Sequence, residues 1–305
     1  MSDSTGRYTI VYNGEIYNFK KLRAELVKKG KVFRTNGDTE VLLEAYIVWG
    51  IDIIPRLEGM FAFLVLDRVE QTVIAARDPL GIKPLYMAQR GSLTMFSSEV
   101  RPLARLISLE EDPVALSELL VFRFAGGRLS NFKDVQKVPG GTVIKLSLMD
   151  NTLVERRFED PLDTLIAEKE MTLEESTEMA RTAIKESIVG HLQSDVGYTL
   201  QLSGGVDSSL IAAITSNFNE RVVSSYGVKL EDEGYDESEY RGMVVDRCGL
   251  RHTEVQLSGD DFAEALPVAV KHMEGPVPHA GCVMLMLLCQ KIKETSKVVL
   301  TGEGA

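Results

Sequence analysis

Cysteine is scarce in this 305-residue chain: Cys248, Cys282 and Cys289 are all it has, an odd number placed late in the sequence. That count excludes a disulfide framework and points to a reduced, cytoplasmic setting. Basic residues are also short, 34 Lys and Arg against 45 Asp and Glu, giving a net charge of −11 and a pI near 5.0. A nucleic-acid partner would need basic patches to neutralise phosphates, so none is expected. Long apolar runs are missing as well. The densest, VMLMLLC at 283–289, is far too short to cross a bilayer, and no membrane partner is expected. Met1–Arg7 shows no positive start followed by an apolar stretch, so no secretory signal is expected in it. What remains is the ordinary composition of a soluble enzyme, 44% hydrophobic and 26% charged, with length for two domains of about 150 residues.

The first half reads as short β-prone runs bounded by glycine or charge: RYTIVY (7–12), MFAFLVL (60–66), QTVIAAR (71–77) and GTVIKLS (141–147). Between them FKKLRAELVKKG (19–30) has Phe19, Leu22 and Leu26 at helical spacing and stops at Gly30. DTEVLLEAYIVWG (38–50) predicts another helix, with Asp38 as its cap and Gly50 as its stop. The pattern is α+β with antiparallel character. The charged stretch 155–171, which carries Pro161, places a linker at 159–171. Thr172 and Glu175 then form a capping box ahead of Ala180, Ile184 and Ile188. From there strands and helices alternate: YTLQL (198–202), a helix near 207–216, VVSSYGV (222–228), a helix near 236–248, a helix near 280–295 and KVVL (297–300). Such alternation predicts a parallel, doubly wound α/β sheet.

At the junction of the first such strand and helix stands LSGGVDSS (202–209). Gly204 and Gly205 permit positive-φ backbone and close approach of amides to a ligand. Asp207, Ser208 and Ser209 open a helix whose amides favour an anion. The lysine of a Walker loop is absent, and Asp207 suggests a phosphate bridged by magnesium, because a bare carboxylate would repel it. An isolated S-G-G is equally an ordinary strand-to-helix turn. The full SGGVDS string after a hydrophobic strand is more specific. It resembles the pyrophosphate loop of the ATP-pyrophosphatase superfamily, which implies that Ser203, Gly204, Gly205, Asp207 and Ser208 hold pyrophosphate and its Mg2+. The backbone of Leu202 would border adenine.

A second constellation follows the first strand. Asn13-Gly14 alone is a hairpin signal, but Asn13, Gly14 and Glu15 also bring an amide, a backbone N–H and a carboxylate together. Those groups suit an amino-acid head group and an oxyanion. RTNGDTEVLL (34–43) adds Asp38 as an acceptor for an α-ammonium group, and LEGMFAFLVLD and RDPLGIKPLY continue the series. In this order the segments resemble the glutaminase domain of class II amidotransferases. Joined to SGGVDS, GYDESEY (234–240) and KVVLTGEGA (297–305), they resemble the glutamine-dependent asparagine synthetase family over nearly the whole chain.

The resemblance implies an α+β glutaminase-like domain over 1–158 and an α/β ATP-pyrophosphatase domain over 172–305. Asn13 and Gly14 would form an oxyanion hole, with Asn13, Glu15 and Asp38 binding glutamine. Val228 would contact adenine, Thr301 and Gly302 would line the nucleotide and aspartate site, and Glu303 would face an aspartyl-adenylate. Asp195 would support the loop. ATP with Mg2+, glutamine and aspartate are the implied small molecules, and a homodimer is compatible with the family.

The family's nucleophile is an amino-terminal cysteine whose own amine is the base, yet no cysteine precedes Cys248. The chain is therefore expected to be a piece of a longer protein, cut at both ends, and as written to release no ammonia from glutamine. HMEGPVPHAGCVMLMLLC (272–289) departs from the family's usual stretch and leaves the acceptor open. A β-lactam-synthetase-like relative and a nucleotide-binding module without catalysis are the rival readings. His272, His279, Cys282 and Cys289 match no standard zinc spacing, and zinc is not expected. Nor is a catalytic Cys282–His279 pair, because the run beside it reads as a buried helix.

Overall fold

Strand β1 (Tyr8–Ile16) pairs antiparallel with β2 (Gly59–Asp67) along its whole length, so Asn13 and Gly14 lie inside a ladder rather than at a hairpin turn. The computed structural model describes residues 1–160, 171–193, 196–218, 222–231 and 237–302. The chain divides into two units, Met1–Lys169 and Glu170–Ala305.

In the first unit, α1 (Phe19–Lys28) and α2 (Asp38–Trp49) connect β1 to β2. Then come β3 (Thr72–Arg77), β4 (Tyr86–Arg90), β5 (Leu93–Ser97), α3 (Pro113–Phe122), β6 (Val135–Lys137), β7 (Thr142–Ser147) and β8 (Leu153–Arg157). One antiparallel sheet runs β1-β2-β3-β7-β8 and a smaller one β5-β4-β6. Leu22 and Leu26 of α1 are buried with Ile10, Ile16, Phe61 and Phe63, so the helical spacing in the sequence does place its apolar face on the sheet. One expectation fails here. Asp38 is not the cap of α2: Gly37 holds that position, and Asp38 is the first helical residue with its carboxylate used elsewhere. The charged residues 155–157 belong to β8, paired with β7, because an edge strand needs backbone partners rather than apolar side chains. The strand ends at Arg157, ahead of the 159–171 linker expected from sequence.

In the second unit, α4 (Leu173–His191) opens on the expected capping box. The Glu175 amide donates to Thr172 Oγ1 (3.2 Å), and the Thr172 amide donates back to Glu175 Oε2 (2.9 Å). After it come β9 (Thr199–Gln201), α5 (Val206–Phe218), β10 (Ser224–Leu230), α6 (Ser238–Cys248), β11 (Arg251–Leu257), α7 (Gly259–Met273), α8 (Ala280–Ile292) and β12 (Val299–Leu300). All pairings are parallel, in the order β11-β10-β9-β12. The chain steps outward from β9 to β10 and β11, then returns to the other side of β9 for β12. Order reverses at β9, which makes the β9/β12 boundary the topological switch point, where open α/β sheets place ligands at the carboxyl ends of strands. No helix among the described residues is long and apolar enough to cross a membrane.

Candidate functional site

At the carboxyl end of β9, the chain turns through Leu202–Gly205 and enters α5 at Val206. Gly204 takes φ +100°, a conformation that L side chains avoid, and so earns its place in the turn. Ser208, nearly buried on the first turn of α5, ties the turn to the helix. Its hydroxyl accepts from the Ser203 amide (3.3 Å), donates to the Gly205 carbonyl (3.2 Å) and meets Ser203 Oγ at 3.0 Å. The Gly205 amide donates to Ser203 Oγ at 3.2 Å. Asp207 stays exposed beside them.

The chain leaving β12 passes directly against this turn. A Cβ at Gly302 would lie 2.9 Å from the Ser208 amide nitrogen and 3.1 Å from Asp207 Cβ, so only glycine permits the approach. Between the two segments opens a cleft of about 210 Å³ lined by Gln201, Ser203, Gly205, Asp207, Ser208, Thr301 and Gly302. It lies at the switch point, and the amides of the first turn of α5 have no partner within the helix. Hydroxyls, free amides and a helix N-terminus in one small polar cleft are chemistry for an anion.

The structure thus gathers Ser203, Gly205, Asp207, Ser208, Thr301 and Gly302, six of the residues singled out by sequence. Leu202, Gly204 and Val228 do not line the cleft. Leu202 is fully buried and its amide donates to the Tyr226 carbonyl (2.8 Å), while Val228 stands further along β10 opposite Val255. Glu303 and Asp195 lie outside the described residues. Two residues of this region were missed by sequence. Gln201 lines the cleft, and its buried Oε1 finds no hydrogen-bond partner among the described residues. Arg241, from α6, donates to the Ser203 carbonyl from beneath the turn. Neither carries a local signal.

The first unit assembles the other constellation. Asp38 Oδ2 accepts from the Tyr12 hydroxyl (2.7 Å) and from the Ile16 amide (3.0 Å), binding both ends of the Asn13–Glu15 segment to the start of α2. Among the described residues, Asp38 Oδ1 meets only Thr39 Oγ1, at 3.4 Å. Asn13 Nδ2 donates to Ser98 Oγ (3.3 Å), a partner that sequence reasoning did not find. Gly14 is required by packing: a Cβ there would overlap the Met60 carbonyl oxygen. Burial, and then the hydrogen bond to Asp38, raises the Tyr12 phenol well above its ordinary range, so it remains a donor. Tyr17 is pushed up to about 12 by burial and then by the charges of Glu15 and Asp78. RDPLGIKPLY is scaffold. Buried Asp78 accepts from the amides of Phe61, Ile82 and Lys83, and Arg77 donates to the carbonyls of Gly81, Lys83 and Val138.

His279 caps α8 without a side-chain cap bond, and its Nε2 lies 3.5 Å from Cys282 Sγ. Among the described residues no group of three or more His, Cys, Asp or Glu side chains could hold a metal ion.

A family profile described as a glutamine amidotransferase domain matches residues 1–159, and one described as asparagine synthase matches residues 179–305. A provisionally named glutamine-hydrolysing asparagine synthetase of Mycobacterium tuberculosis is 32% identical over 99% of this chain and 47% of its own. Asparagine synthetase (glutamine-hydrolysing) 1 of Bacillus subtilis is 31% identical over 98% of this chain and 46% of its own. Enzyme 2 of that name from Oryza sativa is 30% identical over 97% and 46%. The chain thus spans about half the length of the relatives it matches. With a glutamine amidotransferase domain followed by an asparagine synthase domain, the chain belongs to the glutamine-dependent asparagine synthetase family.

Proposed function

We propose that this chain carries the glutamine-binding and ATP-binding portions of a cytoplasmic, glutamine-hydrolysing asparagine synthetase. A carboxylate is a poor acyl electrophile, so the aspartate side chain must first gain a leaving group. Its oxygen attacks the α-phosphorus of ATP, the bond to the β-phosphate breaks, and pyrophosphate departs. Ammonia released from glutamine then attacks the acyl carbon. AMP leaves with the bonding electron pair, and loss of a proton from nitrogen gives the amide.

The observation that carries this reading is the switch-point cleft between the Ser203–Ser208 turn and Thr301–Gly302. There Ser203, Gly205 and Ser208 hold pyrophosphate, Thr301 and Gly302 border the nucleotide, and Gly204, Leu202 and Val228, outside the lining, follow the family pattern toward pyrophosphate and adenine. Glu303 belongs to the acceptor side by the same pattern. Asp207 would hold Mg2+ together with phosphate oxygens, which neutralises the charge on the leaving pyrophosphate. Its exposed position and the absence of a three-ligand cluster among the described residues suit an ion that takes most ligands from phosphate and water. In the first unit, Asn13 and the Gly14 amide face the amide oxygen of glutamine, and Glu15 with Asp38 holds its head group. Asp38 Oδ2 is committed to Tyr12 and Ile16, which leaves Oδ1 for the ammonium.

Calorimetric titration with ATP tests the reading. Binding should require magnesium, be competed by inorganic pyrophosphate, and disappear in Asp207→Ala while the fold is kept, since Asp207 is exposed. Failure of the unmodified chain to bind ATP in magnesium would overturn it.

A further inference from the structure

One buried charge in the second unit has no part in the roles above. Arg241 lies on α6 with its side chain only 3% exposed. Its Nε (3.2 Å) and Nη2 (3.0 Å) donate to Glu254 Oε1 on β11, Nη1 donates to the Ser203 carbonyl (3.2 Å), and Nη2 also reaches Ser238 Oγ (3.3 Å). A single planar fork therefore joins α6, β11 and the SGG turn, a task that suits guanidinium and not ammonium.

Two glycines make room for it. A Cβ at Gly227 on β10 would stand 2.7 Å from Arg241 Cδ and 2.8 Å from the Leu202 carbonyl oxygen. A Cβ at Gly204 would stand 2.9 Å from the Arg241 backbone nitrogen. The neighbouring groups on the same face do not compete for the charge. Burial, then the nearby Arg241 cation, lowers His252 below its ordinary range, and its Nδ1 is engaged with Ser225 Oγ at 2.9 Å. Glu254 is 34% exposed and shares its charge with water.

Burying a cation is costly unless its donors are used, and here four bonds engage four of the five N–H donors. The bond to Ser203 has a directional consequence. Carbonyl and N–H of one trans peptide point in opposite directions, so holding the Ser203 oxygen toward the guanidinium turns the Gly204 N–H away from it. We propose that Arg241, braced by Glu254, is a positioning residue for the anion site, fixing the Ser203–Gly204 peptide and with it the flanking Ser203 hydroxyl and Gly205 that line the cleft. The proposal rests on the reading that this turn holds pyrophosphate.

The test is magnesium-dependent binding of inorganic pyrophosphate to the 305-residue chain, with Arg241→Lys and the neutral double variant Arg241→Met/Glu254→Gln. Lysine keeps the charge but cannot serve Ser203 and Glu254 together. Each variant should bind about tenfold more weakly, the scale of one charge-assisted hydrogen bond. Hydrogen exchange at the Gly204 amide should accelerate, while that at Leu202, bonded to Tyr226, should not. Native affinity in both variants would overturn the proposal, as would weakened binding confined to variants whose far-UV signal shows the second unit unfolded. No pyrophosphate binding by the unmodified chain would instead overturn the loop reading itself.

Discussion

The two glycines of the SGG turn look equivalent in sequence, and the structure says that they are not. Gly204 has φ +100°, and an added Cβ would meet the Arg241 nitrogen at 2.9 Å and the Glu237 carbonyl oxygen at 3.3 Å, both backbone atoms that cannot rotate aside. A side chain in this region of φ costs about 1–3 kcal/mol, and relieving a tight core contact costs a similar amount. Alanine restricts the unfolded chain and recovers about 0.4–1 kcal/mol. Gly204→Ala should therefore destabilise the second unit by about 2–4 kcal/mol. At Gly205 the same substitution meets only Ser203 Oγ, at 3.4 Å, an ordinary contact on a movable side chain. Alanine's poorer helix capping there and its gain in the unfolded state nearly offset, so the net change should stay within about 0.5 kcal/mol. Urea unfolding followed by far-UV circular dichroism measures both variants. With a slope of about 2 kcal/mol per molar, Gly204→Ala should lower the second unit's midpoint by about 1–2 M. Trp49, the single tryptophan, sits on α2 of the first unit, and its fluorescence transition should hold still as a control. Equal costs at the two glycines would refute the argument from φ and contact geometry.

Two further outcomes are expected in the first unit. Asp38→Ala should weaken glutamine binding and cost about 1–3 kcal/mol by stranding the Tyr12 hydroxyl and Ile16 amide, while pyrophosphate binding stays unchanged; equal loss of both ligands would count against two separate sites. The Arg7 guanidinium, at 2.7 Å, holds the Asp67 carboxyl at about 2, against about 3.9 in an unfolded chain. A depressed carboxylate stabilises above its unfolded value and loses that contribution as pH falls toward the folded one. Stability should therefore fall between about pH 4 and pH 2, and Asp67→Asn should flatten this part of the profile in acid-titrated urea unfolding.

Features settled within a few residues are legible along the chain. The Thr172–Glu175 capping box, the Leu22 and Leu26 face of α1, the apolar runs of β2, β3 and β7, and the SGG entry into α5 each rest on local spacing or on backbone freedom at a named residue. Weakly patterned elements are not legible in this way: α3 buries only Ala115, and β11 buries only Leu257. Asp38 has the local look of a cap, but the distant donors Tyr12 Oη and the Ile16 amide take its Oδ2 instead. Tertiary structure alone decided that β12 returns beside β9, which brings Thr301 and Gly302 against a turn almost a hundred residues earlier and creates the cleft. It alone put Arg241 under Ser203, in space vacated by Gly227 and with its charge answered by Glu254. Strand order and buried ion pairing are long-range choices, set by which surfaces bury one another, and no window along the chain contains both partners.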